Sequence, residues 1–417
     1  MIIPYLRQDL EIFRGNSRED GSPAWLLYDA VRNKYFTVGL TAFRLIKNWR
    51  GGEDIQNFEK KINSQGIETT GDEIKSFIGF LQQNNLIIQP QGQGVPFLMQ
   101  QKNSLKKSWI MNLIHSYLFF KIPLFTPDEW LGRTLNKVKF LGSKKIRNII
   151  YILGFIGLFF VIQQFENFTK TFLYFFSLKG LMIYFITLVF VKCLHELGHA
   201  YIAKYHGCRV SAIGIAFLVF FPFLYTDTTD AWRLRNHKDR LLINFAGILT
   251  ELHLALIATF VWGVLPEGGL KSAAFFIATT SWISSIAINV SPFMRFDGYY
   301  VFSDWLKAEN LQPRSFALAK WKIRETLFGF NHKPPEEISP SRRWTFIIYA
   351  WSTWVYRFFL FIGIALLVYY FAFKVLGIIL FAIEIYWFIM LPIIKEMKQW
   401  WMMRSEMKLN KQTFRTI

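Results

Sequence analysis

The sequence is poor in cysteine and in charged residues. It contains two cysteines, Cys193 and Cys208, among 417 residues, so a disulfide framework is not expected. Charged residues make up 18% of the chain and hydrophobic residues 52%, whereas soluble proteins carry about a quarter charged residues. The polar stretch Met1 to Asp20 lacks an apolar run, so no cleavable signal peptide is expected. This composition indicates that lipid is the solvent for much of the chain.

Acidic residues are also scarce relative to basic ones. The chain has 29 Asp and Glu against 48 Lys and Arg, a formal charge of +19. Nucleic-acid binding is one interpretation of such an excess. Most of the basic residues lie between apolar runs and at the C-terminus, as the positive-inside rule and an anionic lipid surface require. We therefore expect a lipid bilayer as partner and no nucleic acid.

Residues 1–105 predict a small α+β domain of winged-helix-like design. Two β-prone runs, Trp25–Asp29 and Lys34–Val38, flank a polar turn and predict a β-hairpin. A Thr70-x-x-Glu73 capping box predicts the start of the third of three helices. The predicted helices are Thr41–Trp49, Asp54–Ile62 and Asp72–Asn84. Leu86–Ile88 is a candidate closing strand.

A basic connector is predicted at 106–147. Within it, Trp109–Phe125 mixes aromatic, apolar and polar positions and contains Pro123. Two interpretations remain open for this stretch: an interfacial segment, or a helix packed on the membrane domain.

Six apolar segments follow, each long enough to cross about 30 Å of hydrocarbon at about 1.5 Å per residue. Their limits are 148–165, 180–206, 240–264, 272–291, 343–371 and 375–395. The predicted fold is a polytopic α-helical membrane domain with about six spans over 148–397, followed by a basic cytoplasmic tail at 398–417. The apolar stretch Val210–Tyr225 is short and contains Pro222, which predicts a re-entrant or strand-like element.

Loop charge predicts the orientation of the spans. Basic residues precede the first span and cluster after the second, fourth and sixth, whereas the alternate loops are short and weakly charged. The pattern predicts a multi-pass protein with both termini in the cytoplasm.

One span carries the sequence His195-Glu196-Leu197-Gly198-His199. Histidines four residues apart lie on one face of a helix and can bind one zinc ion, and Glu196 can act as general base. Three ionisable groups at membrane depth are costly without a metal or a polar cavity. If the span ends near His206, His195 lies about 16 Å from the cytoplasmic face.

A catalytic zinc site needs a third protein ligand, and Asp297 is the candidate. Pro292 interrupts the helix before it, and Gly298 permits a tight backbone after it. On these residues alone, an ordinary Asp-Gly turn is the better interpretation.

The spacing of Asn289, Pro292, Asp297 and Gly298 favours Asp297 as a zinc ligand, because it resembles a family motif. The chain resembles the site-2 protease family of intramembrane metalloproteases, which pairs a membrane-embedded HExxH with a later N-x-x-P-x-x-x-x-D-G. The resemblance implies a three-span core at 180–300, zinc bound by His195, His199 and Asp297, and Glu196 as general base. It implies that Asn289 holds the substrate or the active-site turn.

The middle span of that core contributes two further candidates. Gly247 fits the small-residue motif of the family, whereas Glu251 stands where a smaller residue is usual. Glu251 is expected at the depth of His195, where it could support a histidine N–H, bind zinc itself, or pair with His253. Two further charges, Arg357 and Glu384, predict a buried ion pair between the last two spans.

A narrower resemblance covers nearly the whole chain. The motifs Asp227-Thr-Thr-Asp230-Ala-Trp232 and Arg295-Phe-Asp297-Gly-Tyr-Tyr300 resemble the bacterial "peptide zinc metalloprotease" branch, and residues 1–105 resemble the PqqD-like fold that binds leader peptides. The resemblance implies location in the bacterial inner membrane. It also implies membrane-fusion or ABC-type secretion proteins as partners.

The sequence therefore predicts an intramembrane zinc metalloendopeptidase that acts near the cytoplasmic side on a membrane-associated or exported peptide. The substrate is expected to pair, as an extended strand, with Val210–Phe221. One alternative is a non-proteolytic subunit or scaffold of a peptide-export system. A transporter is the other, which six spans without an evident repeat make less favourable.

Overall fold

The computed structural model describes residues 2–15, 22–66, 68–88, 119–173, 176–218, 221–330, 332–371, 374, 378, 381–382 and 385–402. The chain divides into two compact units, Met1–Ser285 and Ile286–Ile417.

The first unit begins with a three-stranded antiparallel sheet in the order β1-β2-β3. Its strands are β1 (Leu10–Arg14), β2 (Trp25–Asp29) and β3 (Lys34–Val38). The predicted hairpin is confirmed, with Trp25 opposite Val38 and Asp29 opposite Lys34, whereas β1 was not foreseen. The predicted closing strand is reduced to an isolated bridge between Leu6 and Ile87.

Three short helices complete the N-terminal region and confirm the predicted series. They are α1 (Leu40–Lys47), α2 (Ile55–Ser64) and α3 (Gly71–Gln83). The capping box is present, with the Thr70 hydroxyl accepting from the Glu73 amide and the Glu73 carboxylate accepting from the Thr70 amide. The apolar faces of α2 and α3 meet at Phe58, Ile62 and Ile74, which are fully buried. This burial supplies the driving force that short helices lack in isolation.

Further along the first unit, the described residues form six α-helices. They are α4 (Asp128–Val138), α5 (Lys144–Gln163), α6 (Phe165–Leu173), α7 (Leu178–Tyr205), α8 (His237–Val264) and α9 (Gly269–Ile283). α8 packs against α5, α7 and α9. α5 and α8 approach each other closely at Gly157, where an added Cβ would lie 2.5 Å from the Phe260 backbone nitrogen. Small residues permit such contacts between membrane helices.

Four helices in the described part of the chain are long and apolar enough to cross a membrane: α5, α7, α8 and residues 340–364. They coincide with four of the six predicted spans. The predicted span 272–291 corresponds to the 15-residue helix α9 and the π-helical segment that continues it, Ser284–Asn289. The predicted span 375–395 lies partly outside the described residues, so the count of about six stays a prediction.

A second antiparallel sheet lies beside these helices, in the order β4-β5-β6. Its strands are β4 (Phe119–Phe125), β5 (Ile213–Leu218) and β6 (Phe221–Thr226). The strand-like element predicted at Val210–Tyr225 is confirmed as β5 and β6.

β4 corrects two expectations. The connector stretch Phe119–Phe125 is not helical but forms a strand that pairs with β5, because an extended segment satisfies the backbone groups that β5 would otherwise leave open. Residues 106–118 lie outside the described residues. Both edges of β5 are paired within the chain, which contradicts the predicted pairing of a substrate with this strand.

The second unit contains α10 (Asp297–Trp305), α11 (Leu311–Phe328), α12 (Pro340–Phe371), a second π-helical segment (Ile385–Met390) and α13 (Leu391–Met402). α11 packs against α12 around Leu318, Phe346 and Ile347, all buried. The Arg357 guanidinium lies 5.8 Å from the centre of the Phe316 ring. Glu384, its predicted ion-pair partner, lies outside the described residues.

Candidate metal centre

Two histidines on one face of α7 form the centre of the site. His195 and His199 are buried, with 5% and 8% of their surface exposed. Their Nε2 atoms lie 3.2 Å apart, because residues four apart on a helix are neighbours.

The outer nitrogen of each ring faces a hydrogen-bond acceptor. The His199 Nδ1 lies 2.7 Å from the Ile243 carbonyl oxygen, and the His195 Nδ1 lies 3.0 Å from Glu251 Oε1. Acceptors at both Nδ1 atoms favour the tautomer with the proton on Nδ1. The two Nε2 lone pairs then face each other, an arrangement that a shared cation stabilises.

The spacing of the two rings fits zinc. With Zn–N bonds of about 2.0–2.1 Å, two tetrahedral ligands have their nitrogens about 3.3 Å apart. The observed 3.2 Å between the Nε2 atoms agrees with that value. Imidazole is also the commonest protein ligand for metals.

Gly247 of α8 lies directly against the two rings. A Cβ at this position would lie 2.4 Å from the Nε2 atoms of both His195 and His199. The structure therefore explains why the middle span carries a glycine here: any larger residue would occupy the space in front of both Nε2 atoms.

We expect Gly247→Ala to displace both imidazoles and to lower zinc affinity at least about tenfold, with overpacking costing about 1–3 kcal/mol of stability. Zinc affinity and thermal unfolding of the purified protein measure the two effects. Gly363→Ala is the control, because a methyl group added there in α12 meets open space. Wild-type zinc affinity in Gly247→Ala would contradict this account.

Asp297, the third residue of the predicted ligand set, lies in the second unit. Two nitrogen ligands and one carboxylate match the donor sets of catalytic zinc sites.

Local structure explains how Asp297 is presented. It is the first residue of α10. An added Cβ at Gly298 would lie 2.5 Å or less from the carbonyl oxygens of Asn289 and Val290, so the start of α10 packs tightly against the end of the π-helical segment. Asn289 is buried there, and the Pro292 carbonyl accepts a hydrogen bond from the Tyr349 hydroxyl at 2.9 Å.

Comparison with known proteins identifies the family of this chain. The family model described as "Peptidase family M50" matches residues 182–411, which is more than half of the chain. The chain belongs to peptidase family M50. The predicted resemblance to site-2 proteases is thereby confirmed, and membership in this family implies zinc.

One curated relative of this M50 chain comes from Bacillus subtilis (strain 168) and is named "Putative peptide zinc metalloprotease protein YydH". The two are 24% identical over 131 residues, which cover 31% of this chain. The match spans about half of the relative, 49% of its length. No solved structure matches the M50 chain.

Glu196 of the M50 motif lies between the two histidines in sequence and is half-buried. Its backbone carbonyl accepts a hydrogen bond from the Thr226 hydroxyl at 3.1 Å. The end of β6 is thus attached to the motif helix at the residue predicted to be the general base.

Two side chains beside the M50 motif were missed by sequence reasoning. Lys192 places its Nζ 2.6 Å from Glu251 Oε1, and the Ser285 hydroxyl donates to Glu251 Oε2 at 2.7 Å. Lys192 lies inside an apolar run, three residues before His195, and a charged residue in such a run indicates a functional site.

The N-terminal hairpin of the M50 chain contacts the turn that carries Asp227 and Asp230. The Tyr35 hydroxyl donates to Asp230 at 2.5 Å and the Asn33 amide donates to Asp227 at 3.1 Å. Burial, together with the nearby Asp230 carboxylate, raises the pKa of Tyr35. Burial also raises the pKa of Asp227, but hydrogen bonds from Ser211 and other donors outweigh it and lower that pKa overall. The turn therefore connects the hairpin to β6.

Proposed function

We propose that this M50 chain is an intramembrane zinc metalloendopeptidase that hydrolyses a peptide bond of a membrane-associated or exported peptide. The observation that carries the proposal is the pair of buried Nε2 atoms, 3.2 Å apart, on a helix apolar enough to cross a membrane. Buried ionisable groups at membrane depth are retained for function.

The roles of the residues follow from the family motif and from their chemistry. His195, His199 and Asp297 hold the metal. A bound zinc ion supplies Lewis-acid polarisation of a carbonyl and acidifies water. The Glu196 carboxylate takes a proton from the attacking water and passes it to the leaving nitrogen. Asn289 holds the substrate or the turn before Asp297.

We place the reaction near the cytoplasmic side of a bacterial inner membrane, with both termini in the cytoplasm. Support comes from the basic residues that flank the apolar segments. α7 ends at Tyr205, so His195 lies about 15 Å along the helix from that end, at about 1.5 Å per residue.

The N-terminal region, as a PqqD-like domain, selects the peptide in this proposal. β3 is an edge strand of its sheet, and edge strands bind extended peptides by backbone pairing. Tyr35 of β3 also contacts Asp230, so a peptide bound there is delivered close to the sheet that adjoins Glu196. The name of the Bacillus relative, which includes "peptide zinc metalloprotease", supports a peptide substrate, and membrane-fusion or ABC-type secretion proteins are the proposed partners.

Removal of zinc tests the proposal. The purified protein in lipid vesicles is mixed with membrane and secreted peptide fractions of its source cells, and new peptide termini are identified by mass spectrometry. We expect termini that form with the zinc-loaded protein, disappear after chelation and return when zinc is restored.

A protein purified without the metal is the matched control, because it shares every surface with the loaded form. New termini that persist after complete chelation would contradict a zinc-dependent reaction. Stoichiometric zinc without any new termini would favour a non-proteolytic role.

A further inference from the structure

We infer that Lys192, Glu251 and Ser285 form a clamp that positions His195 for metal binding. We call these three residues the His195 clamp. The inference rests on the proposed zinc site, and it assigns a role to two residues outside the family motif.

Two charges of the clamp lie in helices that are apolar enough to cross a membrane. Lys192 belongs to α7 and Glu251 to α8. The Glu251 side chain is fully buried, whereas the Lys192 side chain is 31% exposed. Burial of a carboxylate is costly, so its presence here requires partners that outweigh the loss of hydration.

Three polar groups, two from α7 and one from the π-helical segment Ser284–Asn289, surround the Glu251 carboxylate. Lys192 Nζ and His195 Nδ1 lie 2.6 Å and 3.0 Å from Oε1. The Ser285 hydroxyl, fully buried, lies 2.7 Å from Oε2. Because both of its oxygens have polar partners, the Glu251 carboxylate is held in one orientation.

The two histidines differ in how they are held. His199 Nδ1 faces the Ile243 backbone carbonyl, which the α8 helix keeps in place. His195 Nδ1 faces a flexible Glu side chain, which keeps its position only if other groups fix it. Lys192 and Ser285 supply that fixation, so the direction of the His195 Nε2 lone pair depends on them.

Conservative changes at Lys192 test the clamp. Lys192→Met keeps the length of the side chain and removes the ammonium group, and we expect zinc affinity to fall about 10–100-fold, as for loss of other groups that orient a metal ligand. Lys192→Arg should recover most of this loss. Affinity is measured by competition with a chromophoric chelator, and the visible spectrum of the cobalt-substituted protein reports the ligand geometry.

A double variant distinguishes the clamp from a general effect on packing. Glu251→Gln keeps an acceptor for His195 but no longer pairs with an ammonium group. If both residues act through one clamp, Lys192→Met/Glu251→Gln loses little more affinity than the weaker-binding single variant.

Lys271→Met is the matched control, because Lys271 is also buried and paired, with Glu267 at 2.9 Å, near the start of α9. A Lys192→Met protein with lower thermal stability but unchanged zinc affinity and cobalt spectrum would overturn the clamp. Failure of the wild-type protein to bind zinc would overturn the proposed function instead.

Discussion

The variant Glu196→Gln is expected to bind zinc like the wild type and to cleave its substrate about 10²–10⁴-fold more slowly. The amide keeps the size of the carboxylate but cannot accept a proton from water. The backbone carbonyl of residue 196 can still accept the hydrogen bond from the Thr226 hydroxyl, so the attachment of β6 to α7 is retained. Zinc content and the rate of peptide release are measured on the same preparation.

Glu267→Gln provides the control for this change. Glu267 lies in the connection between α8 and α9, and its side chain is 78% exposed. It should cleave at the wild-type rate. Peptide profiles of cells carrying each variant extend the comparison to the natural substrate. A Glu196→Gln protein within tenfold of the wild-type rate would exclude Glu196 as the general base.

The HExxH motif could be predicted from sequence because its spacing alone places both histidines on one helical face. The hairpin and the capping box were equally predictable, since their signals lie within a few neighbouring residues. Gly247 and Asp297 needed the family resemblance, because nothing in their local sequence shows that a glycine and a carboxylate from other segments belong with His195.

β4 could not be predicted from sequence because its partner strand is distant along the chain. Phe119–Phe125 lies almost ninety residues before its partner strand β5, and its pattern fitted a helix or an interfacial segment equally well. Within the span predicted at 272–291, the sequence did not show that the α-helix gives way to a π-helical segment at Ser284. That segment carries Ser285, whose hydroxyl binds Glu251.

The change Asp297→Ala tests the least local part of the site. We expect zinc affinity to fall by more than about 100-fold, because a catalytic zinc site uses three protein ligands and loss of a ligand exceeds loss of an orienting partner. Asp297 is the first residue of α10, and the Phe296 side chain before it makes no hydrogen bond that caps the helix. Measuring zinc affinity by chelator competition and helix content by circular dichroism separates loss of a ligand from loss of α10.

Asp304→Ala is the matched control, because Asp304 is a buried carboxylate of the same helix and is not one of the predicted ligands. It should retain zinc, and any stability it loses measures the cost of removing a buried aspartate from α10. If Asp297→Ala and Asp304→Ala bound zinc equally well, Asp297 would not be the third ligand. Selective loss in Asp297→Ala would instead show that zinc depends on this carboxylate, as the spacing from Asn289 to Gly298 predicts.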